Sequence, residues 1–296
     1  MLDVLIVGGG PAGLSAALML GRCRRRVLLC DLGEPRNRRA RAVHGYLTRD
    51  GIAPAALNEI GSAELPGYGV ELRHIGVVDA QTTGDRFRVS LADGREEFTR
   101  FLLLATGVVD DLPAIPGFDD CYGRSIFHCP YCDGWEWRDR RLAAIGCGVE
   151  ATGLALSLRT WSADVVLITH GDLCAPRTRD RLARNAVALR TEPLAGIDHD
   201  RGMVQRVRFA SGETMPLDAI FFSSGQHPQS ALAVRLGCAL TTRGTVKTRS
   251  TCATNVARVF VAGDASRDAQ FVAVATAEGM KAAVAINRAL QSEEFV

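Results

Sequence analysis

A glycine-rich segment near the start of the chain restricts the folds that this sequence can adopt. An apolar run at residues 2–7 leads into the glycine-rich residues 8–13, which are followed by a helix-like apolar segment. A second apolar run at residues 26–30 ends at Asp31. Continuous apolar strands are typical of a parallel sheet that is covered on both faces. The segment therefore predicts a βαβ unit at the start of the chain.

The spacing of the glycines indicates what this unit binds. In Gly8-x-Gly10-x-x-Gly13 the first glycine makes a tight turn, the second lets a pyrophosphate approach the backbone, and the third lets helix and strand pack closely. The helix N-terminus offers N–H groups and a positive dipole to phosphates, and Asp31 is placed to accept hydrogen bonds from a ribose. A glycine turn without a ligand is the alternative, but the surrounding strand, helix and acid favour a nucleotide site.

A second, similar unit begins near the middle of the chain. A strand at 141–145 precedes the turn Gly146-x-Gly148-x-x-Ala151, a helix at 150–160 and a strand at 164–169. Further buried strands are predicted before Ala105-Thr106-Gly107 and before Gly263-Asp264, and a long helix over 270–290. We expect an α/β protein with two Rossmann-like three-layer nucleotide-binding domains, the second inserted into the first. The predicted bounds are 1–113 with 247–296 for the first domain and 114–246 for the second.

Composition and charge exclude several other classes of protein. The 296 residues suit two domains. With 35 basic and 33 acidic residues the net charge of +2 gives no argument for a nucleic-acid partner or an anionic membrane surface. No apolar run reaches the ~18 residues that a membrane span needs. Because the chain opens on a strand rather than a basic leader, we expect a cytoplasmic protein. Arg36, Arg38, Arg39 and Arg41 are expected to form a solvated face, and a contact with a phosphate is the alternative.

Nine scattered cysteines do not make a secreted disulfide framework. The close pair Cys129 and Cys132, in the segment 128–134, instead predicts a redox-active or metal-binding site. Disulfide exchange needs a thiolate that attacks a sulfur in line and a second thiol that resolves the mixed disulfide. A helix that starts at the pair would lower the pKa of one thiol. Asp133 is expected to carry the proton between thiol and leaving group.

Other interpretations of this segment remain open. A zinc site would need two more ligands; Cys121 and His128 are near in sequence, but no second Cys-x-x-Cys exists. The two cysteines would otherwise be inert buried fillers. We expect His128 to be structural rather than a catalytic base. Trp135 and Trp137 are expected in the core or at a domain interface, and a place beside a bound cofactor or a substrate is the alternative.

Four landmarks follow one another in the order typical of one family. They are the Gly8–Gly13 turn, Ala105-Thr106-Gly107, the Cys-x-x-Cys before the second glycine turn, and Gly263-Asp264 before the last helix. With its length, the whole chain resembles the low-molecular-weight thioredoxin reductase family of flavoproteins. The resemblance implies FAD in the first domain, with Gln270 and Phe271 near the isoalloxazine ring. The residues that it assigns to FAD are Gly8, Gly10, Pro11, Ala12, Gly13, Asp31, Val78 (beside the adenine), Ala105, Thr106, Gly107, Gly263, Asp264 (on the ribityl chain), Gln270 and Phe271.

The resemblance also implies how the cysteines work. Cys132 would exchange electrons with FAD, and Cys129 would attack the partner. The partner would be a thioredoxin-like protein or a small-molecule dithiol or disulfide. A homodimer is implied, together with a rotation of the inserted domain about crossing segments near 113–117 and 245–249.

The chain departs from the family at the second nucleotide site. Thioredoxin reductases carry a His-Arg-Arg run there, whose arginines clamp the 2′-phosphate of NADPH, whereas this chain has Thr169-His170-Gly171-Asp172. A 2′-phosphate is normally held by guanidinium groups, which a neutral histidine and a glycine cannot replace. Whether Asp172, or an arginine at 177, 179 or 181, reaches the strand end depends on loop geometry that the sequence does not fix. NADPH binding in the usual manner is therefore not expected.

Some relatives of this family work without NADPH. They include dithiol oxidases that close disulfides in gliotoxin- and holomycin-like metabolites with O₂ as acceptor, and reductases fed by ferredoxin. An intact Cys-x-x-Cys-Asp beside an altered nicotinamide site predicts one of these two activities. The alternatives are an NAD(P)H-dependent reductase with an atypical site and a non-catalytic flavin-binding regulator.

Overall fold

The computed structural model describes residues 1–223, 225–266 and 269–295. The strands in these ranges are β1 (Leu2–Val7), β2 (Val27–Cys30), β3 (Glu71–Arg73), β4 (Val77–Thr83), β5 (Arg86–Leu91), β6 (Glu96–Leu104), β7 (Val108–Asp110), β8 (Ile126–Phe127), β9 (Leu142–Ile145), β10 (Val165–Ile168), β11 (Val187–Arg190), β12 (Leu194–Asp200), β13 (Met203–Phe209), β14 (Thr214–Pro216), β15 (Ala219–Phe222), β16 (Gln226–Pro228) and β17 (Val259–Val261). The helices are α1 (Pro11–Arg22), α2 (Pro54–Glu64), α3 (Phe118–Cys121), α4 (Pro130–Asp133), α5 (Gly148–Leu158), α6 (Pro176–Arg184), α7 (Leu232–Arg235) and α8 (Val272–Glu294). Single 3₁₀ turns lie at Arg36–Arg39 and Leu65–Tyr68.

The chain folds into two compact units. The first comprises Met1–Arg38, Tyr46–Val109 and Gln226–Val296, and the second comprises Arg39–Gly45 and Asp110–Gly225. None of the helices in the described part of the chain combines the length and the apolar character that a membrane crossing needs.

The return to the first unit corrects a predicted boundary. The chain re-enters this unit at Gln226, so residues 226–246, which the sequence assigns to the inserted domain, lie in the first unit instead. The physical reason is burial: Leu232 of α7 and Val246 belong to the same apolar core as Leu5 of β1. The segment 245–249 is therefore not a crossing between the units.

A mostly parallel sheet organises the first unit. Its strand order is β3-β2-β1-β6-β5-β4, and β17 pairs with the second half of β6. Strand β1 is parallel to both neighbours, with Val7 opposite Cys30 and Leu104. Its side chains alternate between two cores: Val4 and Ile6 face one side of the sheet, and Leu5 and Val7 face the other. The carboxyl ends of β1, β2, β6 and β17 consequently meet at one edge.

Helices α1 and α8 cover one face of this sheet and approach each other closely. A Cβ at Gly279 of α8 would overlap the backbone carbonyl oxygen of Ala12 in α1. This contact fixes the start of α1, where the glycine turn ends, against the last helix.

Gly279→Ala is expected to destabilise the protein. Overpacking costs roughly 1–3 kcal/mol, and we expect the upper end because the obstructing atom belongs to backbone; this exceeds the gain of about 1 kcal/mol that alanine brings to a helix. The measurement is thermal unfolding of the purified protein. Gly153→Ala on α5 is the matched control, since a Cβ there meets nothing within 4 Å and should leave the midpoint unchanged or raise it. A Gly279→Ala midpoint at or above that of the wild type would contradict the close packing.

The second unit contains a parallel sheet of its own. Its strand order is β11-β10-β9-β15-β8, with every pair parallel. A separate antiparallel sheet, β12-β13-β14, has no counterpart in the sequence prediction. Helices α2 and α6 were also not predicted: α2 lies in a proline-containing stretch, and α6 is rich in arginine with a single buried residue, Leu182.

Candidate functional site

The glycine turn between β1 and α1 has the geometry of a phosphate cradle. Gly8 has a φ of +103°, and a Cβ there would overlap the carbonyl oxygen of Ala105. A Cβ at Gly13 would overlap the carbonyl oxygen of Gly8. At Gly10, in contrast, nothing lies within 4 Å of the Cβ position. The first and third glycines thus serve packing, whereas the second faces open space that a ligand can enter.

Asp31 is held against this turn from the end of β2. Its Oδ1 accepts a hydrogen bond of 2.8 Å from the backbone N–H of Gly9. A Cβ at Gly9 would lie 2.6 Å from the Asp31 Cγ. Gly9 is therefore required as well, although the sequence pattern treats it as a variable position. The acid is fixed beside the turn, where a ribose would be expected.

The other residues assigned to FAD lie around the same sheet edge, with one exception. Ala105, Thr106 and Gly107 follow β6, and Gly263 with Asp264 follows β17, so both segments reach the edge where β1 ends. Val78 instead lies on β4, half of its surface is exposed, and its carbonyl accepts a hydrogen bond from Arg235.

Glu278 is a residue of this region that sequence reasoning missed. It is 5% exposed on α8, and its Oε2 accepts a hydrogen bond of 2.9 Å from the backbone N–H of Gly263. Ser266 Oγ lies 3.5 Å from the same oxygen. In the structure this carboxylate fixes the Gly263-Asp264 turn. The sequence signals it only by the position of an acid on the apolar side of a helix.

Arg36 corrects the prediction of a solvated arginine face. Its Nη1 donates to Asp264 Oδ2 at 3.0 Å and to Gln270 Oε1 at 2.6 Å, and only 13% of its side chain is exposed. Arg38, two residues on, fits the prediction: 55% of its side chain is exposed, and its nearest carboxylate is that of Glu34 at 3.8 Å. Arg36 therefore belongs to the candidate cofactor site.

The donor end of the Gln270 amide supports a ligand at this position. Its Nε2 is buried and has no hydrogen-bond partner among the described residues. Buried polar atoms are normally satisfied, so this donor indicates an acceptor group that lies outside the described residues. Together with the open space at Gly10, this atom shows that the residues of the first unit fit a bound dinucleotide such as FAD.

In the second unit, Cys129 and Cys132 are joined in a disulfide, with their Cα atoms 5.3 Å apart. Thiolates that ligate zinc would be free of such a bond, so the structure gives the zinc interpretation no support. Cys129 caps α4 and Cys132 lies within it, but α4 is a single turn. A single turn aligns few peptide dipoles at the cysteine pair.

Asp133 follows the disulfide directly and has an altered acidity. The pKa of its carboxyl is raised to about 7: burial is the main cause, His44 opposes the shift, and Glu136 adds to it. His44 and Glu136 themselves lie 3.6 Å apart. A carboxyl that titrates near neutrality beside a disulfide can both deliver and accept a proton.

The aromatic residues around the disulfide differ in their environments. Trp161 packs against α4: a Cβ at Gly134 would lie 2.7 Å from its ring, and the Tyr131 ring meets it edge-on. Trp137 packs against Phe127 in the core. Trp135 is not a core residue, in contrast to the prediction: it is 63% exposed and stacks on the Arg138 guanidinium at 4.2 Å.

His128 is tied into a hydrogen-bonded group. Its Nδ1 lies 3.1 Å from the Tyr122 hydroxyl, which donates to Asp110 Oδ2 at 2.8 Å. Because the hydroxyl proton is directed to the carboxylate, the hydroxyl oxygen accepts from the Nδ1–H of the imidazole. This arrangement orients the ring, as a structural histidine requires.

The end of β10 is where a clamp for a 2′-phosphate would lie. His170 has a φ of +52° and its Nδ1 accepts a hydrogen bond of 2.9 Å from the backbone N–H of Leu194. Gly171 has a φ of +103°, which a residue with a side chain rarely adopts. The Thr169 hydroxyl donates to the Asp172 carbonyl and closes the turn. The local backbone therefore disfavours arginines at the positions that the family uses.

The sequence did not determine whether the arginines of α6 or Asp172 reach the end of β10. Arg177, Arg179 and Arg181 lie on α6, and the Arg179 guanidinium donates to the Cys174 carbonyl. Asp172 reaches the second glycine turn: its hydrogen bond raises the pKa of the Cys147 thiol, which lies between Gly146 and Gly148. An acid, not a guanidinium, thus faces this turn.

Comparison with known proteins gives one family and a consistent fold. The sequence profile described as pyridine nucleotide-disulphide oxidoreductase matches residues 2–279. Thioredoxin reductase tcpT of Claviceps purpurea is 31% identical over 89% of this chain and 86% of its own. The crystal structure of HlmI is 36% identical and has a TM-score of 0.96 over 99% of this chain and 93% of that one.

A more distant structure shares the fold alone. The thioredoxin reductase of Streptococcus pyogenes is 24% identical, with a TM-score of 0.91 over 99% of both chains. The predicted fold class, α/β with two Rossmann-like three-layer domains, is confirmed by this likeness.

Proposed function

Because the chain belongs to the pyridine nucleotide-disulphide oxidoreductase family, we propose that it is an FAD-dependent dithiol–disulfide oxidoreductase that works without NADPH. The predicted resemblance to thioredoxin reductases is confirmed, and so is the prediction of an FAD oxidoreductase that acts on sulfur. The observation that carries the proposal is the closed Cys129–Cys132 disulfide directly before Asp133, whose carboxyl has a pKa of about 7.

The first unit would hold FAD at the sheet edge described above. The Gly8–Gly13 turn and α1 would take the pyrophosphate, Asp31 the adenosine ribose, and Asp264 the ribityl chain. Gln270 and Phe271 would lie by the isoalloxazine, and Val78 beside the adenine. FAD, when bound, supplies the two-electron acceptor for the cysteine pair. The second unit, which carries the cysteines, corresponds to the NAD(P)H-binding domain of the family.

The cysteine pair performs the exchange with substrate. A substrate thiolate attacks Cys129 Sγ, a mixed disulfide forms, and Cys132 leaves as a thiolate. The second substrate thiol then attacks the substrate sulfur of the mixed disulfide and releases Cys129. The substrate loses two electrons and two protons and becomes a disulfide, while Cys129 and Cys132 become thiols. Asp133 first takes the proton of the substrate thiol, which makes the attacking thiolate, and then gives this proton to the departing Cys132 thiolate. The proton of the second substrate thiol passes to Cys129.

Asp133→Asn is expected to slow reduction of the protein by a dithiol by roughly 10²–10⁴-fold, the usual contribution of a general acid–base. In the wild type the step should accelerate as pH rises through about 7, because the ionised carboxylate is the base. The variant should lose this inflection and keep only the one that belongs to the substrate thiol. The measurement is stopped-flow reduction by dithiol between pH 5.5 and 8.5. An unchanged inflection near pH 7 would rule out Asp133 as the proton carrier.

The same variant has a second readout in stability. Since folding raises the Asp133 pKa, the protonated form contributes stability that is present at low pH and is lost as pH rises through about 7. Asp133→Asn should flatten the fall in melting temperature between pH 5 and pH 8.

The altered second nucleotide site also bears on the direction of electron flow. The Thr169–Asp172 turn offers no guanidinium to a 2′-phosphate, and Asp172 would repel one. We therefore favour a dithiol oxidase that passes electrons from a small-molecule dithiol to O₂, with release of hydrogen peroxide. A reductase that receives electrons from ferredoxin and serves a thioredoxin-like protein is the other NADPH-independent arrangement.

An anaerobic titration of the purified yellow protein tests these alternatives. Flavin absorbance is followed during additions of NADPH, then NADH, then a dithiol. Bleaching by dithiol alone, reversed by air with release of peroxide, is the expected result. Rapid bleaching by NADPH would overturn the NADPH-independent proposal. If no addition bleaches the flavin, reduced ferredoxin is the next donor to add.

An NADH-dependent reductase is the second candidate. The position of Asp172 beside the glycine turn favours it, because an acid at this place can accept hydrogen bonds from the ribose hydroxyls of NADH. Bleaching by NADH and not by NADPH would select this candidate. The assembly proposed for either activity is a homodimer, which light scattering of the purified protein would test; the cytoplasm remains the expected compartment.

A further inference from the structure

Arg36 connects the two residues that would lie closest to the flavin part of FAD. One nitrogen, Nη1, donates both to Asp264 Oδ2 at 3.0 Å and to Gln270 Oε1 at 2.6 Å. The Arg36 side chain is 13% exposed and that of Asp264 is 21% exposed. Hydrogen bonds between such sheltered ionised groups are short and directional, so this contact has a defined geometry.

The hydrogen bond from Arg36 fixes the orientation of the Gln270 amide. A side-chain amide has an acceptor end and a donor end. Arg36 occupies the acceptor, Oε1, and the donor, Nε2, is buried without a partner among the described residues. The donor is thus directed to a group outside the described chain that accepts hydrogen bonds. The carbonyl and ring-nitrogen edge of an isoalloxazine is such a group.

The same guanidinium compensates the charge of Asp264. Removal of the Arg36 guanidinium would take this counter-ion away from the sheltered Asp264 carboxylate beside the cofactor. Reduction adds negative charge to a flavin, so an uncompensated carboxylate nearby would disfavour the reduced form. A cation at this place favours it.

We infer that Arg36 is a positioning residue of the FAD site, which directs the Gln270 amide donor to the isoalloxazine and offsets the charge of Asp264. This inference rests on the proposed FAD site and is independent of the substrate and of the electron donor. The sequence does not single out Arg36, since it stands in a run of arginines of which Arg38 is solvent-exposed.

The test compares Arg36→Met, Arg36→Lys and the control Arg38→Met. Two quantities are measured: the Kd of FAD for the apoprotein, by fluorescence quenching, and the midpoint potential of bound FAD, by equilibration with a reference dye. Arg36→Met should weaken FAD binding by about tenfold or more. It should also lower the potential by about 30 mV, which is a tenfold change in the equilibrium constant of a two-electron couple.

The lysine variant separates charge from orientation. Lysine keeps the positive charge but lacks the planar guanidinium, so Arg36→Lys should restore most of the potential and only part of the affinity. A purely structural role of Arg36 would not make the potential follow the charge. Arg38→Met should match the wild type in both quantities.

Three outcomes would overturn the inference. The first is an Arg36→Met protein whose Kd and potential equal those of the wild type, and the second is an Arg38→Met protein that changes as much as Arg36→Met. The third is a wild-type protein that binds no FAD, which would also remove the proposed function. Because the dye reduces the flavin without substrate, failure of the dithiol oxidase assignment alone leaves these measurements readable.

Discussion

Replacement of Cys129 or Cys132 by serine is expected to abolish turnover of any dithiol or disulfide substrate while FAD remains bound. Serine keeps the size of the side chain but cannot form the mixed disulfide, so the exchange has no covalent route. Loss of a nucleophile costs roughly 10³-fold or more in rate. The measurements are steady-state turnover with a small dithiol and the flavin spectrum of each variant.

The flavin spectra of the Cys129→Ser and Cys132→Ser variants should also differ from each other. If Cys132 faces the flavin, Cys129→Ser leaves Cys132 able to contact the cofactor, whereas Cys132→Ser does not. Cys174→Ser is the matched control, because Cys174 is a partly exposed free cysteine of the same unit and should keep turnover within about twofold of the wild type, as surface substitutions usually do. Retained biological function in the double Cys129→Ser, Cys132→Ser variant would instead support the flavin-binding regulator.

Gly10→Asp is expected to lose FAD and leave the fold intact. Gly10 caps α1 with φ −70° and ψ −178°, an extended conformation that any residue adopts, and its Cβ position faces open space. Aspartate is a good N-cap, so the apoprotein should be no less stable than the wild type. Its carboxylate would occupy and repel the place of the pyrophosphate, and we expect FAD binding to weaken by about 100-fold or more.

Gly10→Asn is the matched control for charge. It has the same size and capping ability but no negative charge, so the difference in FAD affinity between the two variants measures repulsion, and the loss that they share measures steric exclusion. The measurements are FAD content after purification, FAD titration of the apoprotein and its melting temperature. A Gly10→Asp protein that is yellow as purified would place the pyrophosphate elsewhere.

The elements that define the fold were predictable because their signals are local. Strands β2, β9 and β10 are continuous apolar runs, β1 is apolar apart from Asp3, and each glycine turn follows directly on a strand. The antiparallel sheet β12–β14 was missed because burial alternates irregularly along β12 and β13 and because β14 has only three residues. Helix α6 was missed because one buried residue makes no apolar stripe.

The boundary between the units was predicted less well for a related reason. Residues 226–246 have no motif of their own, and only their packing against Leu5 and Val7 assigns them to the first unit. Sequence spacing alone could not show this contact, because its partners lie more than two hundred residues apart.

Some parts of the candidate site were likewise predictable from the sequence, and others were visible only in the structure. Sequence by itself determined the two glycine turns, the cysteine pair with Asp133 and the missing arginines after β10, because each is a short motif whose chemistry lies within a few residues. Only the tertiary structure decided that Arg36 meets Asp264 and Gln270, that Glu278 holds the Gly263 turn, and that Asp172 reaches Cys147. These contacts join segments that follow different strands or lie on a helix, and they form only when the sheet of each unit folds and brings those segments together.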